Sequence, residues 1–226
     1  MIGMVDHWRM NRAAVTSLVV FLLLVGVGWY LTDHQSRKEN PPSAPVPTGS
    51  APAGSSDLGA LQIAPEGKMT GYSRDRFPHW ASQGNSCDTR EIVLQRQGTD
   101  VKQDKDCKPV SGTWNSAYDG VVIKDAGEVD IDHTVPLAEA WRSGADKWTD
   151  DERKAFANDL GGIQLLAVTA KSNRAKGDQD PAKWKPPVQA YWCTYAQHWI
   201  AVKITYKLTI DQAEHDALAS MLTVCR

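Results

Sequence analysis

The sequence predicts an α+β domain, and three observations support that class. VDIDHTVPL, 129–137, places Val129, Ile131 and Val135 in the alternation typical of a half-buried strand, and Pro136 should end it. GIQLLAV, 162–168, is a short apolar run that indicates a buried strand. Helical patterns lie between these strands and after the second one. The order strand, inserted helices, strand, helix is typical of mixed α+β architecture.

The N-terminal region predicts a membrane anchor. Residues 1–12 form a short N-terminal segment, and the uncharged stretch 13–32 is long enough to cross the roughly 30 Å hydrocarbon core as a helix. Arg9 and Arg12 precede this stretch, so residues 1–12 should stay in the cytoplasm and the remainder should face outward. A cleaved signal peptide is the alternative, in which case the protein is secreted.

A linker and one folded domain should follow the anchor. Residues 33–57 are dense in Pro, Ser, Ala and Gly and have no apolar periodicity, which predicts a disordered tether. The domain then occupies 58–226, which is long enough to bury a sizeable core. With 25 Lys and Arg against 27 Asp and Glu, the chain has a net charge of -2. This balance argues against a protein that coats nucleic acid non-specifically, so any contact with a polyanion should be local.

The cysteines predict two disulfides. Cys87, Cys107, Cys193 and Cys225 all lie in the part that should be exported. Four cysteines allow three pairings, and proximity in sequence favours Cys87 with Cys107 and Cys193 with Cys225. Zinc is the alternative, but the sequence has no C-x-x-C and the cysteines are far apart.

Local signals define further elements of the domain. Residues 87–97 predict a short helix capped by Asp88 or Thr89, and SGTW followed by YDG suggests a hairpin. Thr149 to Glu152 forms a capping box for the helical pattern 150–160. TAKSNRAKGD should form a helix that ends at Gly177.

A group of polar residues falls where these elements meet. Asp132 and His133 end the first strand, and Asn173 lies on the helix after the second. Carboxylate and amide oxygens suit a hard divalent cation such as Mg²⁺, and a neighbouring His is a candidate base. Arg174 and Lys176 add positive charge of the kind that binds a phosphodiester. A solvated turn is the alternative for the Asp-His pair taken alone.

The combination resembles a known family. DIDHTVPLAEAW, NDLGGIQLLAV and SNRAKGDQDPAKWKPP are similar to the HNH endonucleases of the ββα-metal (His-Me finger) class, in particular the family of the C-terminal domain of GmrSD-type restriction enzymes. YSRDRFPHW, CDTREIVL and SGTWNSAYDG resemble the flanking pattern, so the likeness covers nearly all of 70–226. It implies an embedded ββα-metal motif with surrounding helices.

The resemblance also implies roles for individual residues. His133 would be the general base, Asp132 and Asn173 would hold one Mg²⁺ or Mn²⁺, and Arg174 and Lys176 would contact phosphate. The pattern has a central Asn that fixes the loop carrying the base, and this chain has Gln164 at the matching place. Gln offers the same amide one methylene further out, and Asn158 and Asp159 are the alternatives for this task.

The conspicuous aromatic residues and the remaining histidines have a plainer interpretation. His79, His198 and His215 are expected to be packing or surface residues. The expectation for five tryptophans is core packing rather than base stacking: Trp80, Trp114, Trp141, Trp184 and Trp192.

The sequence therefore predicts a membrane-anchored, extracytoplasmic, metal-dependent endonuclease that acts on DNA. Two alternatives stay open: a non-catalytic exported module that binds the cell envelope and has a decayed site, and a phosphodiesterase directed at RNA.

Overall fold

A computed structural model describes residues 57–161 and 163–225 as a mixed α+β fold of several helices and three small sheets. The predicted class is confirmed at this level. Within the described residues, no helix is both long and apolar enough to cross a bilayer. The predicted anchor at 13–32, the segment 1–12 and linker residues 33–56 lie outside the described part of the chain.

Six α-helices follow one another along the described residues. They are α1 (Thr89–Gln97), α2 (Leu137–Arg142), α3 (Asp150–Ala157), α4 (Ala170–Lys176), α5 (Trp192–Thr205) and α6 (Gln212–Leu222). The predicted capping signals operate, because Asp88 forms a capping box with Glu91 on α1 and Thr149 forms one with Glu152 on α3. Helix α4 ends at Gly177, whose φ of 55° is a conformation that glycine adopts without steric cost.

In the part of the chain that the structure describes, seven short strands form three antiparallel sheets. They are β1 (Ser82–Gly84), β2 (Cys87–Asp88), β3 (Thr99–Gln103), β4 (Pro109–Asn115), β5 (Val122–Ile123), β6 (Val129–His133) and β7 (Leu165–Thr169). Strand β1 pairs with β2, β4 lies between β3 and β5, and β6 pairs with β7. The hairpin suggested by SGTW and YDG is the turn between β4 and β5.

Two hydrophobic clusters hold these elements together. The larger one packs α2, α3, α5 and α6 around large side chains such as Trp141, Phe156, Trp199 and Leu218. The smaller one lies between α1, β4 and the β6–β7 pair and includes Val93, Trp114, Ile131 and Ala167. Val129 and Ile131 of β6 face this smaller cluster, and alternation turns Asp130 and Asp132 to the other face of the strand.

Trp114 shows why two glycines are needed in the smaller cluster. Its ring is fully buried, and its Nε1 donates a hydrogen bond to the Leu94 carbonyl at 2.8 Å. A Cβ added at Gly98 or Gly112 would lie 2.6 Å from atoms of this ring. Both positions therefore exclude larger residues because the ring lies directly against their backbone.

The disulfide pairing predicted from proximity is confirmed. Cys87 is bonded to Cys107, and Cys193 is bonded to Cys225. The first bond joins β2 to the loop between β3 and β4, and the second joins the start of α5 to the C-terminal end of the described chain. All four cysteines are thereby used as crosslinks, as expected for a domain from an oxidising compartment.

Candidate active site

The β6–β7 pair and α4 bring the predicted polar residues together. Asp130 pairs with Val168, Asp132 with Leu166 and His133 with Leu165 across the ladder. Because Val129 and Ile131 face the smaller cluster, alternation turns Asp130 and Asp132 to the opposite face, where α4 packs. Strands β6 and β7 and helix α4 thus surround one group of polar side chains.

A cavity of about 330 Å³ opens beside this group. Four of the residues predicted from the sequence line it: Asp132, His133, Asn173 and Arg174. Tyr72 and Arg74, which lie far upstream in the chain, form another part of its wall. Gln164 and Lys176 do not line the cavity and are fully buried behind it.

His133 is held as a neutral imidazole. Its Nε2 lies 2.9 Å from the carbonyl oxygen of Ala157, and since that oxygen can only accept, Nε2 carries the hydrogen. Burial lowers the pKa of His133 to about 3, an effect that the bond to Ala157 opposes and the charges of Arg74 and Lys176 reinforce. The lone pair is therefore on Nδ1, which has no hydrogen-bond partner among the described residues.

Trp80 covers one side of the His133 ring. The two rings are stacked with centroids 5.8 Å apart and an angle of 28° between their planes. Asn158 fixes the segment that carries Trp80, because its side chain accepts from the Ala81 N–H and donates to the Pro78 carbonyl. Asn158, named above as an alternative to Gln164, thus supports His133 through Trp80. Trp80 belongs to the fringe of the smaller core cluster and also lies against the candidate base.

Asp132 is bound on both carboxylate oxygens. The ammonium of Lys176 donates to Oδ1 and Oδ2, both at 2.8 Å, and the Tyr118 hydroxyl donates to Oδ2 at 2.5 Å. Lys176 also donates to the His133 carbonyl at 2.8 Å. Burial raises the pKa of Asp132 and lowers the pKa of Lys176, and the direct ion pair opposes both shifts. A buried pair of this kind leaves an uncompensated charge if either partner is removed.

Lys176 therefore lies away from the place that a phosphate contact requires. It is 0% exposed, and its three hydrogen bonds go to Asp132 and His133. Arg174, in contrast, has a side chain that is 76% exposed, and its Nε lies 3.7 Å from Asp130. Of the two cations predicted to contact phosphate, only Arg174 has a side chain at the cavity surface.

Asn173 is oriented by Asp130. Its Nδ2 donates to Asp130 Oδ2 at 3.1 Å, and its Oδ1 has no hydrogen-bond partner among the described residues. The amide oxygen therefore remains free to bind a ligand in the cavity that Asn173 lines.

Gln164 fixes the loop that follows His133. Its Oε1 accepts from the Val135 N–H at 3.1 Å, and its Nε2 donates to the Val135 carbonyl at 3.0 Å. The Gln164 carbonyl also accepts from the Thr134 N–H at 2.7 Å. This explains why β6 ends at His133 although the apolar alternation continues to Val135: a side-chain amide replaces the ladder there. Asp159, the other alternative, instead accepts from the Tyr206 hydroxyl at 2.9 Å.

Two supporting residues were not found from the sequence. Tyr118 binds Asp132, and the adjacent Asp119 accepts hydrogen bonds from Thr169 and Ser172 at the start of α4. The YDG turn between β4 and β5 therefore holds both the carboxylate and the helix that carries Asn173. Their adjacency in the turn was the available signal, but it indicates only a hairpin when taken alone.

A comparison with known protein families identifies the family of this chain. The family model described as "GmrSD restriction endonucleases, C-terminal domain" matches residues 81–221. The chain belongs to this family. The family is nuclease-like. The matched region contains β6, β7 and α4, together with all the cavity residues that these elements supply.

A curated relative extends the similarity without giving an activity. An "Uncharacterized secreted protein" of Arthroderma benhamiae (strain ATCC MYA-4681 / CBS 112371) is 53% identical over 186 residues, which cover 80% of this chain and 91% of the relative. No solved structure matches the chain.

The GmrSD C-terminal domain family implies a divalent cation, and the cavity residues fit one in donor type. The Asn173 amide oxygen is free, and Asp132 keeps one acceptor position on Oδ1 after its three hydrogen bonds. The charge of Lys176 competes with a cation at Asp132. The donor atoms present are therefore of the type that binds a hard divalent cation, and the described residues offer few of them.

A second acidic group in the described residues does not have the charge for a metal site. Carboxylate oxygens of Glu66, Glu139 and Asp180 lie within 4.8 Å of one another. Three cations already neutralise them, since Arg142 contacts Glu66 and Glu139, Lys183 contacts Glu66 and Asp180, and Lys203 contacts Glu139. This network instead ties the segment after α4 to α2 and α5.

Proposed function

We propose that this protein is a metal-dependent endonuclease of the HNH (ββα-metal) type that hydrolyses nucleic-acid phosphodiester bonds, with DNA as the expected substrate. The observation that carries the proposal is geometric: His133, whose Nε2 is bound to the Ala157 carbonyl, has a free Nδ1 in the same cavity as Asp132 and Asn173. A neutral imidazole with an available lone pair can accept a proton from water, as hydrolysis of a phosphodiester requires.

In this proposal, His133 takes the proton from the attacking water at Nδ1. The bond from Nε2 to Ala157 and the stacked Trp80 fix the plane of the ring, so Nδ1 is presented without reorganisation. Gln164 holds the loop after the base, and Lys176 holds the His133 carbonyl. The candidate base is thereby held through its own backbone carbonyl and through the loop that follows it.

Asp132 and Asn173 would hold one Mg²⁺ or Mn²⁺. A bound divalent cation supplies positive charge that stabilises the charge developing on the phosphate and on the leaving oxygen. Arg174 has an exposed side chain and would contact a phosphate oxygen. Lys176 would act by setting the position and charge of Asp132, rather than by touching the substrate.

The proposed location is extracytoplasmic, with residues 13–32 as an anchor or, if they are cleaved, as a secretion signal. Two disulfides and the relative named "Uncharacterized secreted protein" support an extracellular domain. The membrane anchor itself is supported by the sequence pattern of 13–32.

The test is degradation of supercoiled plasmid and of single-stranded RNA by the purified protein with Mg²⁺ or Mn²⁺. The proposal predicts nicking of the plasmid that stops when a chelator is added. Degradation of RNA alone would redirect the activity to RNA, and no cleavage of either substrate with either metal would contradict the enzymatic function.

A further inference from the structure

The segment that precedes the matched family region reaches the cavity. Residues 72–80 lie before residue 81, where the family match begins, yet Tyr72 and Arg74 line the cavity and Trp80 stacks on His133. Arg74 begins a single 3-10 turn, Arg74–Arg76. A segment that precedes the matched residues 81–221 therefore completes the candidate active site.

The position of Arg74 is fixed by its neighbours. Phe77 is fully buried, and its ring lies 6.4 Å from the Trp141 ring and 6.2 Å from the Phe156 ring. Arg153 donates to the Arg76 carbonyl at 3.0 Å, a bond to the backbone of the turn that does not involve the Arg76 side chain. The backbone of the turn is anchored to the core, which leaves the Arg74 side chain at the cavity wall.

The charge of Arg74 has no protein partner in the described chain. The other arginines among residues 57–161 and 163–225 each contact a carboxylate, a backbone carbonyl or an aromatic ring. Arg74 makes no ion pair and no side-chain hydrogen bond with the described residues, and it is solvent-exposed. A guanidinium that is free at the mouth of a polar cavity is available to an anionic ligand.

The cavity also has the character of a phosphate site. Arg174 enters it from α4 and Arg74 from the upstream segment, so two guanidinium groups come from separate parts of the chain. The planar guanidinium binds two oxygens of one phosphate and suits a phosphodiester better than a lysine ammonium does. The buried Lys176 cannot provide this second cation.

We propose that Arg74 is a substrate-binding residue that contacts a backbone phosphate of the nucleic-acid strand at the His133 cavity. The inference rests on the proposed function for the identity of the ligand, and it assigns the task of a second phosphate contact to Arg74. Because a phosphate carries no sequence information, this contact should strengthen binding of every sequence equally.

The experiment measures binding separately from cleavage. A fluorescently labelled DNA oligonucleotide is titrated with full-length protein carrying His133→Ala, and fluorescence anisotropy gives the dissociation constant over a range of salt concentrations. The compared variants are Arg74→Gln and Arg76→Gln, each added to that background. Arg76 is the matched control, because it removes the same charge from the same turn but contacts Trp141 and Asp150 rather than the cavity.

Arg74→Gln should weaken binding about tenfold, as expected for loss of a hydrogen bond between charged groups. It should also reduce the slope of log affinity against log salt by about one, while the melting temperature stays unchanged. Arg76→Gln should bind within about twofold of the background, a small effect of the kind that an exposed charge has. Equal weakening by both variants would indicate a general charge effect and overturn the proposal, as would normal binding by Arg74→Gln.

A second measurement keeps the two proposals separate. The same titrations are repeated with His133 intact and a chelator present, and cleavage of plasmid is assayed with Mg²⁺. Cleavage by the wild type with no effect of Arg74→Gln on binding would refute the role of Arg74 and leave the nuclease function standing. Binding that depends on Arg74 without any cleavage would support the role of Arg74 and contradict the nuclease function. Failure of the oligonucleotide to bind at all would contradict the assignment of Arg74.

Discussion

Replacement of Gln164 by Ala should destabilise the fold and disorder the loop after His133. The side chain makes two hydrogen bonds with the Val135 backbone, at 3.1 and 3.0 Å, and both residues are fully buried. Each bond stabilises by about 1 kcal/mol net, and each buried backbone group left without a partner costs about 1–3 kcal/mol. Allowing for partial relaxation, we expect a loss of about 3 kcal/mol in the free energy of unfolding.

Gln164→Asn is the decisive comparison, because the family pattern has Asn and the sequence alone suggests that Asn should serve at least as well. An Asn amide lies about 1.5 Å short of the Gln position, and bonds of 3.0 Å would lengthen beyond the hydrogen-bond range. The geometry predicts that Gln164→Asn is destabilised nearly as much as Gln164→Ala and that it cleaves more slowly. Gln164→Glu keeps the shape but puts a buried carboxyl group against the Val135 carbonyl, so it can keep that bond only as the neutral acid and should lose stability as the pH rises.

Urea unfolding with the disulfides intact gives the stability of each variant, and plasmid nicking gives its rate. Stability and rate equal to the wild type in Gln164→Asn would show that the two hydrogen bonds do not hold the loop, and the assignment of Gln164 would be wrong.

The remaining predictions concern charge and crosslinks. Lys176→Met should leave Asp132 buried without its partner and cost about 3–5 kcal/mol, and Mn²⁺ should then raise the melting temperature more than it does in the wild type; equal shifts would refute the competition between Lys176 and the metal. Burial raises the pKa of Glu214 to about 7, so the native state binds the proton more tightly and stability falls as the pH rises from about 4.5 to 7, by up to about 3 kcal/mol; Glu214→Gln should flatten this dependence in melting curves at different pH. Cys193→Ser with Cys225→Ser should cost about 3 kcal/mol and leave the cleavage rate intact below the melting temperature, since neither cysteine lines the cavity; a lost rate in folded protein would show that this crosslink shapes the site.

Local patterns predict most of the elements around the site. The alternation in VDIDH, the apolar run that becomes β7 and the capping box at Thr149 each depend on neighbours in sequence, and each forms where it is predicted within a few residues. The disulfide pairing is the one of three that proximity in sequence favours. These features depend on interactions between residues that are close in sequence, so a single sequence can predict them.

The role of Lys176 shows where the interpretation from sequence was too coarse. Asn173 and Lys176 are three residues apart on α4 and share a helix face that lies against β6, where they bond Asp130 and Asp132, whereas the Arg174 side chain is exposed. Helical spacing thus places Lys176 in a buried ion pair and leaves the Arg174 side chain exposed. The prediction treated both as phosphate ligands because it used their charge and not their phase on the helix.

Contacts distant in sequence could not be predicted. Trp80 reaches His133 across 53 positions, and Arg74 reaches the cavity from a single 3-10 turn without periodicity. Trp80 was expected simply in the core, and its packing there is compatible with its place against the base. Such contacts depend on how the larger core folds the upstream segment over β6, which no local pattern records.

The central claim is that His133 is the base of a phosphodiester hydrolase. It is tested most directly by the initial rate of plasmid nicking by wild-type protein and by His133→Ala at neutral pH with Mg²⁺, with circular dichroism to show that both are folded. The account predicts a rate about 10²- to 10⁴-fold lower in the variant. An equal rate in a folded His133→Ala protein would contradict it.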